Sequence, residues 1–316
     1  MRARCIASLT FVLLLVDIAL PSHRHFCHAE EGGTGHYSPG ALATLIDLPP
    51  TQPGWVVQPL YLRYDGDVSR TLPIGGLVAT GTDATIDAFT LGGVYTFEEK
   101  VLGAHYSVGT YLPYVWLDVE ANVGTLRRSD SVDGLGDITL TPLMMAWTNK
   151  FWVYDALLSV YAPTGDYDEG DLANAGLNYW TFEPTVGIAY NNAENGFNLA
   201  LHAGVTINTE NDKTDYRSGS VMHVEAGIQQ LLPLGPGYVS LGANGFIYEQ
   251  VSGDSGSGAT LGDFKGRSMG IGPALGYVLP VEENSTFLVE VRWLPELDTK
   301  NRLEGDYFWL KFAYQF

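Results

Sequence analysis

Three groups of side chains in this sequence could do chemistry. His105 and Ser107 stand two apart and could pair a base with a nucleophile,. Asp166, Asp168, Glu169 and Asp171 crowd four carboxylates into six residues. Such a run could hold a divalent cation, although it lacks the spacing of a dedicated calcium loop. A third, dispersed group comprises Asp155, Glu183, His202, His223, Glu225, Glu290, Arg292 and Lys311. Each stands inside an otherwise apolar stretch. Which chemistry is open to them depends on the elements that carry them.

Those elements read as strands. Between 55–64 and 306–316, twelve segments alternate apolar and polar residues with period two, the mark of a strand whose faces meet different surroundings,. In 197–208, Phe197, Leu199, Leu201, Val205 and Ile207 oppose Asn198, His202, Thr206 and Asn208. The final segment puts Phe308, Leu310, Phe312, Tyr314 and Phe316 on one face and Lys311 on the other. Connections after even segments are tight, such as 98–100 and 149–151. Those after odd segments are longer and rich in Gly, Asp and Ser: 65–83, 117–136, 163–178, 209–218, 251–266 and 298–305. Short turns on one rim and long loops on the other predict an all-β, single twelve-stranded antiparallel transmembrane barrel of the bacterial outer-membrane type. The terminal Phe316 then closes the barrel and presents a signal to the outer-membrane assembly machinery.

Targeting agrees with this expectation. Residues 1–29 read as a secretory signal: Arg2 and Arg4, an apolar stretch from Ile6 to Leu20, and a small-residue site ending at Ala29,. Cleavage there removes both cysteines, Cys5 and Cys27, so neither disulfides nor thiolate chemistry are expected,. The net charge of −19 argues against nucleic-acid binding,. No later apolar run reaches the length of a membrane helix,. The expected organisation is a signal at 1–29, a periplasmic or plug segment at 30–54 and a barrel at 55–316. The expected location is the outer membrane of a Gram-negative cell, in contact with lipid and lipopolysaccharide.

Alternation assigns the faces. His105, Asp155, Glu183, His202, His223, Glu225, Glu290, Arg292 and Lys311 point inward, because charge facing lipid at membrane depth is costly,. They could form a paired structural network, line a solute path, or do both. Tyr238, Phe246 and Tyr248 share an inward face and could supply aromatic contacts. His105 and Ser107 also point inward, since Leu102, Ala104, Tyr106 and Val108 mark the outer face. A lipid hydrolase would need that pair turned toward lipid, so hydrolysis stands only as a remote alternative. Ahead of the first strand, His36, Tyr37, Leu42 and Leu45 suggest a short plug, with a small helix over 41–46 whose Leu42, Leu45 and Ile46 pack on inward aromatics. The other reading of this segment is a periplasmic linker. No cofactor, metal or enzymatic activity is expected. The acidic run at 166–171 is expected to be a solvated external loop.

Several stretches together carry a resemblance. They are His36-Tyr37-Ser38-Pro39-Gly40, the proline run at 49–54, Gly134-Leu135-Gly136-Asp137-Ile138 and Tyr161-Ala162-Pro163-Thr164-Gly165-Asp166-Tyr167-Asp168. Asn178-Tyr179-Trp180-Thr181-Phe182-Glu183-Pro184, Ser252-Gly253-Asp254-Ser255-Gly256 and Gly272-Pro273 follow. In this order they resemble the outer-membrane family named for the meta-pathway of phenol degradation. The resemblance implies a channel-like or transporter-like barrel linked to aromatic-compound catabolism. The expected function is passive uptake of small hydrophobic or aromatic, phenol-like solutes. The alternative is a structural or surface-interaction barrel with no open path.

Overall fold

A computed structural model describes residues 30–261, 265–282 and 285–316; the signal-peptide expectation for 1–29 lies outside them. The chain forms β1 (Gly54–Ile74), β2 (Leu77–Thr96), β3 (His105–Val123), β4 (Leu126–Leu135), β5 (Ile138–Asn149), β6 (Trp152–Ala162) and β7 (Thr181–Asn192). It continues through β8 (Phe197–Asn208), β9 (Val221–Leu234), β10 (Gly237–Gln250), β11 (Arg267–Glu282), β12 (Ser285–Lys300) and β13 (Glu304–Gln315). All described pairings are antiparallel, mostly between successive strands. β1 pairs both β2 and β13, from Val56 opposite Gln315 to Asp67 opposite Glu304. Phe316 exchanges backbone hydrogen bonds with Trp55, at 2.8 and 2.9 Å. The last residue is thus tied to the first strand, and the sheet closes.

Thirteen segments make twelve crossings. The lower half of β3 pairs with β5 (His105 to Tyr111) and its upper half with β4 (Tyr114 to Val123). β4 and β5 are therefore one crossing, broken at Gly136 and Asp137. The molecule is a closed twelve-stranded antiparallel barrel. Closure leaves no open edge across the hydrocarbon, where an unpaired backbone group would find no water.

Two long external connections differ from expectation. Segments 65–83 and 117–136 are mostly strand: β1 and β2 continue to a turn at Gly75 and Gly76, and β3 and β4 to one near Gly124. Gly75 and Gly76 take φ of 56° and 78°, the left-handed pair that a two-residue hairpin turn demands,. Loop composition rich in Gly, Asp and Thr hid the ladder, because beyond the membrane the outward face of a hairpin need not be apolar.

Alternation holds where the strands cross. On β8, Asn198, Ala200, His202, Thr206 and Asn208 are buried, while Leu199, Leu201 and Ile207 are exposed to the surroundings. Aromatic rings gather at the periplasmic strand ends: Trp55 lies 4.9 Å from Tyr95, Trp152 5.0 Å from Tyr190, and Tyr314 5.4 Å from Phe316. Amphipathic rings favour the membrane–water interface, which marks this rim as one boundary of the bilayer.

Candidate functional site

Residues 30–53 run through the barrel, from the external mouth to the start of β1. At the top, the Glu31 carboxylate accepts hydrogen bonds from Asn211 (2.9 Å), Tyr167 (3.1 Å) and Thr214 (3.2 Å), all on external loops. Glu30 accepts one from the Tyr248 hydroxyl. Further down, His36 contacts Thr181 Oγ1 at 2.7 Å and Asp137 Oδ2 at 2.9 Å, and stacks on Tyr161. Tyr37 stacks on His223 with ring centroids 3.8 Å apart and donates to Glu225 at 2.7 Å. Burial and then the Glu225 charge push the Tyr37 hydroxyl far above its ordinary pKa, so it remains a donor,.

Below Tyr37 the segment meets a polar wall. Arg292 donates to the Gly40 carbonyl (2.6 Å), the Leu42 carbonyl (3.1 Å), Glu290 (2.6 Å) and Asp47 (2.5 Å), and also to the Thr44 hydroxyl. Lys311 donates to the Gly40 carbonyl (2.7 Å) and Asp47 (2.6 Å). Glu225 accepts from the amides of Gly40 and Leu42, and Gln229 from that of Leu45. Charges buried this deeply require such partners. Burial alone would raise the Asp47 pKa, but Arg292 and Lys311 outweigh it and hold the carboxyl below its ordinary range.

The barrel is shaped to the segment. A Cβ on Gly227 would lie 1.8 Å from the Ala43 carbonyl oxygen, so only glycine fits there,. The expected helix over 41–46 is absent. Ala43 takes a left-handed φ of 68°, and only a short 3-10 turn, Leu45–Asp47, forms below it,. Backbone carbonyls needed by Arg292 and Lys311 would be occupied in a helix. Of the three residues expected to pack on inward aromatics, Leu42 and Ile46 lie in largely aliphatic clusters, with Tyr111 against that of Ile46. Ala43 and Leu42 meet Ala146, Val153, Ala189 and Ala200, and Ile46 meets Val56, Val94, Met144 and Ala313. Small inward residues admit a backbone where rings would exclude it.

On the opposite side the segment leaves space. A cavity of about 410 Å³ separates it from an apolar wall that includes Leu60, Leu62, Ile86, Ala88, Val115 and Leu117. His36, Asp137 and Tyr161 edge it on the polar side. Its size lies in the range of small-molecule sites. Above it the β1–β2 hairpin reaches across the mouth, where the Gly170 amide donates to the Gly75 carbonyl at 2.8 Å. Leu72 and Ile74 of that hairpin share one apolar cluster with Leu172 and Leu303.

The sequence-derived residues divide accordingly. Glu225, Glu290, Arg292 and Lys311 gather around the segment. Glu183 lies 2.9 Å from His223 and accepts from Tyr161 at 2.6 Å; Asp155 lies 3.3 Å from His202. Phe246 and Tyr248 are buried in the interior. Tyr238 does not join them. Its inward parity falls at the periplasmic end of β10, where it is 42% exposed. His105 opens β3 at the same rim, half-buried and outside the central network. Ser107 is buried against Thr96 at 2.8 Å, away from the outer face where a lipid would lie. The acidic run at 166–171 is not free of bases, because Lys213 comes within 3.7 Å of Asp168.

Four important residues escaped the face rule. Asp47 was visible as the single acid of 41–53. Gly227 was visible as a glycine in inward phase. Asp137 sits at the strand break and Arg302 in a connection, where alternation says nothing.

The sequence profile described as putative MetA-pathway of phenol degradation matches residues 69–312. The chain belongs to that family. Among solved structures, the chain is similar to an outer membrane channel from Pseudomonas putida, with TM-score 0.63 and 15% identity over 89% of this chain and all of the other. It is also similar to the β domain of the Bordetella autotransporter BrkA, with TM-score 0.51 and 12% identity over 84% of this chain and all of the other. At such identities the likeness shows the fold, an outer-membrane barrel. No curated protein matches the chain. The family assignment covers nearly all of the barrel and none of residues 30–53.

Proposed function

We propose that this barrel is an outer-membrane channel for small, mainly apolar solutes, phenol-like aromatics among them, and that residues 30–53 keep its path closed at rest. One observation carries the reading: the segment bonds to the polar wall and leaves a cavity of about 410 Å³ against the apolar one. A barrel filled only for stability gains by closing such a space, since unfilled apolar volume is destabilising. Family membership supports the reading by linking the chain to phenol degradation. Export after removal of 1–29, insertion guided by Phe316, and lipid and lipopolysaccharide around the outer face complete the proposal. No step of it requires enzymatic chemistry.

Ala88 borders the cavity and takes no part in the segment's ion pairs. Ala88→Trp should fill the space, and cells carrying it should take up labelled phenol at least about tenfold more slowly than cells with the native barrel, a loss near 1.4 kcal/mol. Equal uptake by both, and by cells lacking the protein, would favour the structural barrel with no open path.

A further inference from the structure

The described interior holds three buried cations, and two are fully engaged. Arg292 pairs with Asp47 and Glu290, and Lys311 with Asp47. Arg302 is the third. It is 3% exposed and borders the cavity. Its Nη2 donates to the Tyr307 hydroxyl at 3.1 Å, and its Cζ lies 4.1 Å from the centre of the Tyr248 ring. Its Nε and Nη1 find no acceptor among the described residues. Buried donors left in that state are costly, and guanidinium donors more so than neutral ones.

Charge is not what Arg302 lacks. Glu30 and Glu296 act on it through space. The Glu296 oxygens accept from Tyr64 (3.0 Å), Ser268 (2.5 Å) and the Gly305 amide (2.8 Å) and not from the Nε or Nη1 of Arg302, to which they supply field. Besides the charges of Glu30 and Glu296, the carboxylates of Glu31, Asp137 and Glu183 line the cavity that Arg302 borders. This surrounding negative charge repels anions. What fits is a neutral oxygen acceptor on an apolar body. The rings of Tyr64 and Tyr307, 4.5 Å apart, border the same cavity beside Arg302, and so does the Thr82 hydroxyl, which is buried without a partner.

We propose that Arg302 binds the oxygen of a neutral aryl alcohol or ether, holding the oxygen end of the solute toward the external mouth and its ring against the apolar wall. This rests on the proposed function, in which the cavity receives a small apolar solute. Benzoate and phenolate are disfavoured by the carboxylates around the cavity, and toluene leaves the donors unsatisfied.

Titration calorimetry on the purified barrel, with phenol, anisole, toluene and benzoate as probes, tests this. Phenol and anisole should each bind about tenfold or more tightly than toluene, as expected for a hydrogen bond from a charged donor. Benzoate should bind more weakly than phenol. Arg302→Met should erase the preference for oxygen while leaving toluene affinity unchanged. The anisole–toluene comparison in the native protein stands even if that variant fails to fold. Toluene binding as tightly as phenol and anisole would overturn the Arg302 assignment and leave the cavity reading intact. So would a preference that survives Arg302→Met. Benzoate binding tighter than phenol would overturn the choice of a neutral ligand. Binding of none of the four would overturn the cavity reading and this assignment together.

Discussion

The lumen wall built by β9, β12 and β13 and the wall built by β1 to β3 follow the same alternation, yet they treat the N-terminal segment in opposite ways. The first offers Glu225, Gln229, Glu290, Arg292 and Lys311, and the segment's backbone is bonded to all but Glu290, which accepts from the Thr44 hydroxyl. The second meets the segment near the base, where Ile46 packs with Val56 and Val94 and Gln58 donates to the Ile46 carbonyl, but higher up it offers Leu60, Leu62, Ile86 and Ala88, and there a cavity intervenes. A strand backbone inside a barrel must satisfy its own polar groups, and a chain without secondary structure must borrow partners. The segment therefore goes to the wall that has them. The apolar wall is left for whatever has no polar groups to satisfy. The lesson is that the side of this lumen on which the segment's backbone lies follows hydrogen-bond supply.

This contrast can be broken most forcefully by removing the segment. Deletion of residues 30–48 should leave folding and heat-modifiable migration intact, because every ladder bond lies within the closed sheet. Ion conductance in planar bilayers should rise severalfold; unchanged conductance would make the segment a mere tether. A single Cβ should do nearly as much. Gly227→Leu places a side chain where the Ala43 carbonyl lies, so the same conductance rise is expected with the segment present. A leucine at this position with native conductance would mean that the segment does not rest there.

Removing the cation at the centre of the polar wall comes next. Arg292→Met leaves Asp47 with Lys311 alone and takes the ion-pair partner of Glu290, and should weaken seating of the segment by about 3–5 kcal/mol,. Protease cleavage within residues 30–48 would report this. Leu62→Ala on the facing wall should leave that cleavage at the native rate, and equal sensitivity of both variants would erase the distinction between the walls.

The smallest effect is one of pH. Burial pushes the Glu30 carboxyl up to about 7, against the Tyr248 hydrogen bond and the Arg302 charge, which lower it. The seated segment thus binds a proton that the released segment gives up between the ordinary carboxylate value and about pH 7. Seating is strongest at the acidic end of that window and loses, over its course, on the order of 3 kcal/mol. Conductance should therefore be lower at pH 5 than at pH 8, and Glu30→Gln should flatten the difference. A native channel that opens on acidification would contradict the assignment.

How much of this was legible in the chain varies with the kind of signal. The crossings were legible because lipid and lumen impose a two-residue period on every strand, and β8 and β13 show it with few exceptions. The face of Glu225, Glu290, Arg292 and Lys311 followed from the same rule. Tyr238 shows its limit: parity gives a side and not a depth, and at the rim an inward residue meets water. The 41–46 helix was misread because its apolar spacing suits a helix equally well. Only the positions of Arg292 and Lys311 in space show that the Gly40 and Leu42 carbonyls are claimed from outside.

By itself, the sequence determined a closed barrel, its strand number and which side chains turn inward, since these depend on local periodicity and on connection length. Only the tertiary structure decided which inward residues meet the segment and where space remains. Asp47 and Arg292 are 245 residues apart, and Arg302 lies in a connection that has no period. Contacts across a lumen depend on the curvature and register of the whole sheet, which no stretch of chain encodes alone.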